Sequence, residues 1–164
     1  MQATGGAWVE LNRILWTKAW VAFTAFVIAD VICVGMGMGV PIFCIGFGFL
    51  VGWYVAARAI RSAPDLAEAL GRILVHASVT SAVTFVMMAV IWGPVSLLLF
   101  DPAADFVNFG IPMILYDPRA SFVGWLALMI FISPFLQLLT TLFSSYLTLL
   151  VSVRRRAWGP SVSH

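Results

Sequence analysis

Charge is what this chain has least of: Asp, Glu, Lys and Arg make up 10% of its 164 residues, against about 25% in a soluble domain. That scarcity excludes an ordinary water-soluble globule. The net charge of +2 is too small to imply a nucleic-acid partner. Two cysteines, Cys33 and Cys44, both inside apolar segments, exclude the disulfide framework of a small secreted domain. With His76 and His164 as its histidines, the chain lacks the paired intramembrane ligands that hold haem between helices. There is no Asn-x-Ser/Thr sequon, Walker A, Gly-x-Gly-x-x-Gly, Gly-x-Ser-x-Gly or His-Glu-x-x-His pattern, and Cys-x-x-Cys is missing too. No hydrolase, metalloprotease, nucleotide or disulfide-forming site is therefore visible, no cofactor is implied, and the expectation is a non-enzymatic protein.

Long apolar runs are there instead. Hydrophobic residues are 62% of the chain, its mean hydropathy is +1.03, and the runs 19–39, 40–57, 73–100 and 120–153 hold one charged side chain, Asp30. Each run meets or approaches the roughly 20 residues that cross a hydrocarbon core about 30 Å thick. A backbone in lipid must satisfy its own hydrogen bonds, and none of the runs alternates like a strand. The expected fold is all-α: a polytopic integral membrane protein forming a single membrane domain over 1–164, with transmembrane helices at about 19–39, 40–57, 73–94 and 122–150. Lys18 followed by an apolar stretch resembles a signal peptide, but the hydrophobic run continues past Val27-Ile28-Ala29, which favours an uncleaved first span.

Orientation follows from the basic residues. Arg13, Lys18, Arg58, Arg61, Arg72 and Arg154 to Arg156 fall on one side of the four spans, and Arg119 alone on the other. The positive-inside rule then places both termini and the loop 58–72 in the cytoplasm of a cell (plasma) membrane, and the loop 101–119 outside. The tryptophans agree: Trp8, Trp16, Trp20, Trp53 and Trp158 fall near the inner boundary, and Trp92 and Trp125 near the outer one, where amphipathic rings are favoured.

Local signals refine the picture. Residues 7–18 suit a short interfacial helix. Gly35 with Gly39, and Gly48 with Gly52, are small-xxx-small pairs that permit close helix approach. Ser62-Ala63-Pro64-Asp65 resembles a capping box with Ser62 as N-cap, so helix 3 is expected to start near residue 63 as a cytoplasmic amphipathic extension, with Glu68 and Arg72 paired at i, i+4. Gly93-Pro94 should kink or stop that helix. The outer loop mixes Asp101, Asp105 and Asp117 with an apolar stretch from Phe106 to Tyr116; it should lie on the bilayer or fold over the bundle. Residues 120–153 would reach about 50 Å as a straight helix, so tilt, a kink at Pro134 or a cytoplasmic extension must absorb the excess.

Asp30 is the sharpest chemical signal, because an acid at the centre of a spanning helix costs about 2.5 to 3.5 kcal/mol on insertion scales and normally faces protein. Helical rise puts Asp30, Thr84 and Gln137 at one depth near the midplane, with Gly48 beside them. The expectation is a buried polar layer in which Asp30 bonds Thr84 and Gln137, either as helix glue or as a proton or cation site. His76 and Thr80 on span 3, and Thr141, Ser144 and Thr148 on span 4, form polar stripes that could lead from the cytoplasm to it, although such hydroxyls also bond helix carbonyls. Cys33, Met36, Met38 and Cys44 at the first hairpin are soft ligands that suit Cu(I), or the two cysteines a disulfide, in a spacing that matches no metal signature. The three outer aspartates lack the dense alternation of a calcium loop. The partners expected are the lipid bilayer and either further copies of the chain or a larger membrane protein, with the chain acting as an accessory or oligomerising subunit. The alternative is a small oligomeric proton or cation transporter centred on Asp30.

Overall fold

A computed structural model describes residue 16 and residues 18–36, 41–111 and 113–157. The described residues are 83% helix, without strands among them. Helix α1 is Ala19–Met36, α2 is Ile42–Ser62 and α3 is Leu66–Trp92. A 3₁₀ helix, Pro94–Phe100, leads into an irregular segment, and α4, Pro118–Ala127, continues through a π-helical turn, Leu128–Ile132, into α5, Ser133–Ala157. Three of these are long and apolar enough to cross a membrane: α2, α3 and the continuous stretch Pro118–Arg154. Helix α1 is apolar but shorter, at 18 residues. The expected interfacial helix at 7–18 and the bend residues 37–40 lie outside the described residues, apart from Trp16 and Lys18.

The connection between α2 and α3 is much tighter than a loop over 58–72. Helix α2 runs on to Ser62 and α3 starts at Leu66; between them Pro64 pushes Ala63 into an extended conformation (φ −90°, ψ 137°) by the steric demand a proline places on its predecessor. Ser62 is therefore not the N-cap of α3. It stays in the last turn of α2, donating to the Arg58 carbonyl at 3.1 Å, and Asp65 takes the cap, accepting from the Glu68 amide at 2.8 Å. Arg72 then pairs with Glu68 one turn on and reaches back to the Ser62 hydroxyl at 2.9 Å, pinning the two helix ends together.

Proline also shapes the last span. Pro134 has no N–H, and its ring would strike the carbonyl four residues earlier. The chain relieves this by opening one π turn upstream, where both the amide and the hydroxyl of Ser133 reach the Leu128 carbonyl, the hydroxyl at 2.6 Å. The perturbation expected at Pro134 thus falls on the turn before it.

The tightest contact in the bundle is between α2 and α5. A Cβ at Gly52 would collide with the Thr141 backbone carbonyl, and one at Gly48 with Thr140 and the Gln137 carbonyl, so the two glycines allow the axes to close. Along this seam Thr140, Ser144 and Ser145 donate to the carbonyls of Ile45, Phe49 and Gly52 at 2.8, 2.7 and 2.9 Å. Gly35, by contrast, faces open space, and its partner Gly39 is outside the described residues.

Buried side chains form two clusters. Phe26, Val55, Ala59, Ile73 and Leu149 belong to the one at the end bearing Arg58 and Arg72, hereafter the basic end. Val34, Cys44, Met88, Phe122, Trp125 and Met129 belong to the one at the opposite end. Over the second cluster the segment 101–117 folds back, with the Phe106 ring tilted and the Phe109 ring edge-on to Phe122 at centroid distances of 4.9 and 5.1 Å and Ile111 packed on the same cluster. Its other apolar side chains, among them Ile114 and Tyr116, stay exposed.

Gly52→Val should force the α2–α5 backbones apart and lower stability by about 1–3 kcal/mol, the usual cost of overpacking. Gly46→Ala, whose Cβ would meet nothing within 4 Å, should be neutral. Thermal unfolding of the detergent-purified proteins distinguishes them, and equal midpoints would contradict the close seam.

Candidate intramembrane polar site

Between the two apolar clusters lies a polar layer. Asp30 sits one helical turn from Phe26 on one side and from Val34 on the other, all three on the buried face of α1. Its carboxylate receives the Thr84 hydroxyl of α3 at 2.7 Å and the Gln137 side-chain amide of α5 at 3.1 Å. Asp30 and Thr84 are 0% exposed and Gln137 2%, so no lipid or solvent substitutes for these bonds. Gly48 of α2 stands against the Gln137 carbonyl. The structure thus brings together all three residues that depth arithmetic set at one level, and joins α1, α3 and α5 through one carboxyl group.

The layer is not electrically closed. The apolar runs 19–39, 40–57, 73–100 and 120–153 around Asp30 contain no Lys or Arg, so an ionised carboxylate there must be met by a proton or a mobile cation, given the cost of a buried unpaired charge. The Gln137 Oε1 is buried without a partner. That leaves an acceptor beside the acid.

The polar stripes separate. Thr141 and Ser144 are buried in the α2–α5 seam, with Ser144 spent on the Phe49 carbonyl. His76 is exposed, its Nδ1 2.6 Å from the Arg72 carbonyl, and Thr80 donates to its own helix at Ala77, 2.9 Å away. His76 and Thr80 instead border a cavity of about 530 Å³ between α1, α2 and α3. Thr80 links the cavity to the layer, since its carbonyl also accepts from Thr84 at 3.2 Å. Tyr54, Arg58 and Arg72, which also line this cavity, carry no site motif in the sequence, where the arginines bear on orientation and, for Arg72, on the pair with Glu68. The one available signal was the recurrence of basic residues at the ends of both α2 and α3.

The remaining candidates disperse. Cys33 is half-buried and Cys44 buried, both as free thiols, so no disulfide joins them. Met38 and the Met36 side chain lie outside the described residues, and among the described residues no group of three His, Cys, Asp or Glu could hold a metal. Asp101, Asp105 and Asp117 each serve their own turn, accepting from the amides of Ala103, Val107 and Arg119 respectively. Asp105 also receives the Asn108 side chain and amide, which hold its carboxyl below the usual range. Its turn is favoured above the ordinary aspartate pKa and loosens as pH falls through the lowered value.

No protein-family model, curated protein or solved structure matches this chain.

Asp30→Ala should leave the Thr84 hydroxyl and Gln137 amide buried without an acceptor, at a cost of about 1–3 kcal/mol. Asp30→Asn keeps an acceptor for Thr84 and should stay close to wild type. Thermal midpoints in one detergent measure both, and an undiminished midpoint for Asp30→Ala would show that the layer does not hold α1.

Proposed function

We propose that the chain is a four-span, multi-pass protein of the cytoplasmic (plasma) membrane with both termini in the cytoplasm, working as a non-enzymatic accessory or oligomerising subunit of a membrane complex. The 18 residues of α1 rise about 27 Å, close to the core thickness of about 30 Å, which supports a fourth span. The concentration of eight of nine Lys and Arg residues on one side supports the orientation.

The observation that carries the subunit reading is the use made of polar side chains inside the bundle. Ser81, Thr84, Gln137, Thr140, Ser144 and Ser145 all bond a neighbouring helix. They build a scaffold rather than a polar route, and the Met88, Met129 and Trp125 cluster closes the bundle beyond Asp30. The second reading, a proton or cation transporter centred on Asp30, is favoured by the unmatched carboxyl and the partnerless Gln137 Oε1.

Chain mass measured by light scattering after mild-detergent extraction should show a fixed homo-oligomer or a stoichiometric complex; a solitary monomer would overturn the subunit reading. Ion flux into proteoliposomes tests the alternative, which requires wild-type flux that Asp30→Asn abolishes. For orientation, a C-terminal fluorescent-protein fusion should glow and a phosphatase fusion at the same point should be inactive. The reverse pattern would invert the topology.

A further inference from the structure

Arg72, His76, Thr80 and Thr84 follow one another at four-residue intervals on α3, which sets them on one face of the helix about 6 Å apart. The first three line the cavity of about 530 Å³ between α1, α2 and α3, and the fourth donates to the Asp30 carboxyl at 2.7 Å. A polar ladder therefore climbs the cavity wall from the basic end to the polar layer. On the α1 side the lining stops at Ala29, the residue before Asp30. The carboxyl itself is 0% exposed and stands behind Thr84, one turn beyond the last polar side chain of the cavity. A space of this size has room for a file of water molecules, each of which takes about 30 Å³ in the liquid, and the ladder supplies hydrogen-bonding partners along it.

The surroundings of the carboxyl restrict what it can hold. Its partners, Thr84 and Gln137, are both neutral. Among the described residues, the titratable side chains within electrostatic reach of it are the thiols of Cys33 on α1 and Cys44 on α2, which offer no positive charge, while α3 and α5 present a hydroxyl and an amide. Tyr54, Arg58, Arg72 and His76 lie farther off, toward the basic end of the cavity. A hard metal ion takes about six oxygen ligands, and a layer closed to solvent cannot complete such a shell with water. A proton needs none of that room. The Gln137 amide also serves both forms of the acid: Nε2 donates to a carboxylate, as it does at 3.1 Å, and Oε1, buried without a partner, accepts from a carboxylic acid once the amide turns over.

We propose that Asp30 is an exchangeable proton-binding site, loaded from the basic end through the cavity and along the polar face of α3. The proton arrives at Thr80 and passes to the Thr84 hydroxyl, whose oxygen receives it as its own hydrogen moves to Asp30 Oδ2; no other bond changes. Beyond Asp30 the cluster of Val34, Met88, Trp125 and Met129 closes the bundle, so the site is a dead end entered from one side. The proposal rests on the reading of Asp30 as an ion site and names the ion and its entrance. It does not rest on transport, because a proton binds and leaves by the same path.

Infrared difference spectroscopy of the full chain in liposomes tests it. At neutral pH the wild type should show the carbonyl stretch of a protonated carboxylic acid that Asp30→Asn lacks, and the band should shift when D₂O replaces water. Sodium or potassium chloride added at constant pH should leave it unchanged. Thr80→Leu, which removes the last polar step of the wall, and Ala22→Phe, which fills the cavity two turns from the acid, should each keep the band and slow its shift by about tenfold or more. If one of these variants fails to fold, the other carries the comparison. The absence of an Asp30-dependent band, a band that does not shift, or one lost on adding salt would overturn the proton site, and a shift as fast in the filling variants as in the wild type would overturn the entrance. An exchanging band without ion flux in proteoliposomes supports the dead-end site and counts against the transporter reading alone.

Discussion

A carboxyl group buried inside an apolar bundle has no water to fall back on, so the protein must supply its partners or forgo the helix that carries it. Asp30 places that demand on α1, the least closely packed helix of the bundle. The demand is met from two directions, by Thr84 on α3 and Gln137 on α5, and the position of α1 follows from it. Hydrophobic attraction cannot do this work in lipid, where an apolar side chain gains little by leaving the acyl chains for another helix. Directional bonds can, because each is satisfied at one rotation and one depth of the helix.

The same logic runs through the rest of the bundle in weaker form. Small residues at 48 and 52 bring α2 against α5, and hydroxyls on α5 then reach carbonyls on α2 that already serve their own helix. The π turn before Pro134 belongs to this arrangement as well. It turns the last span at the level where Ser81 of α3 donates to the Pro134 carbonyl at 2.9 Å, tying α3 to the point where the helix is irregular. Irregular backbone at that depth is tolerated where protein surrounds it, and Ser133 and Met129 beside it are fully buried.

Holding α1 by one polar layer has a structural consequence. Above the layer, Val34 is locked among Met88, Met129 and the aromatic rings under the folded-back segment. Below it, α1 stands off from α2 and α3, and the basic ends of those helices form the rim of the resulting space. The arginines at these helix ends thus shape a pocket, because the break at Pro64 is so short that the end of α2 and the start of α3 face each other.

The sequence by itself determined the helical class, the apolar runs and the place of Asp30 midway along the first of them, because hydropathy and a rise of about 1.5 Å per residue are local properties that need no partner. It placed Asp30, Thr84 and Gln137 at one level on the same grounds. Local chemistry was less decisive at helix ends: Ser62 and Asp65 are both competent caps, and the choice of Asp65 depended on how far α2 persisted before Pro64. Rotation about each helix axis was decided only by the tertiary structure. The polar stripes on α3 and α5 mark a face of each helix but do not say which neighbour that face meets. That is why Thr141 and Ser144 proved to belong to a helix seam while His76 and Thr80 border a cavity, although all four lie on stripes that run toward the basic end.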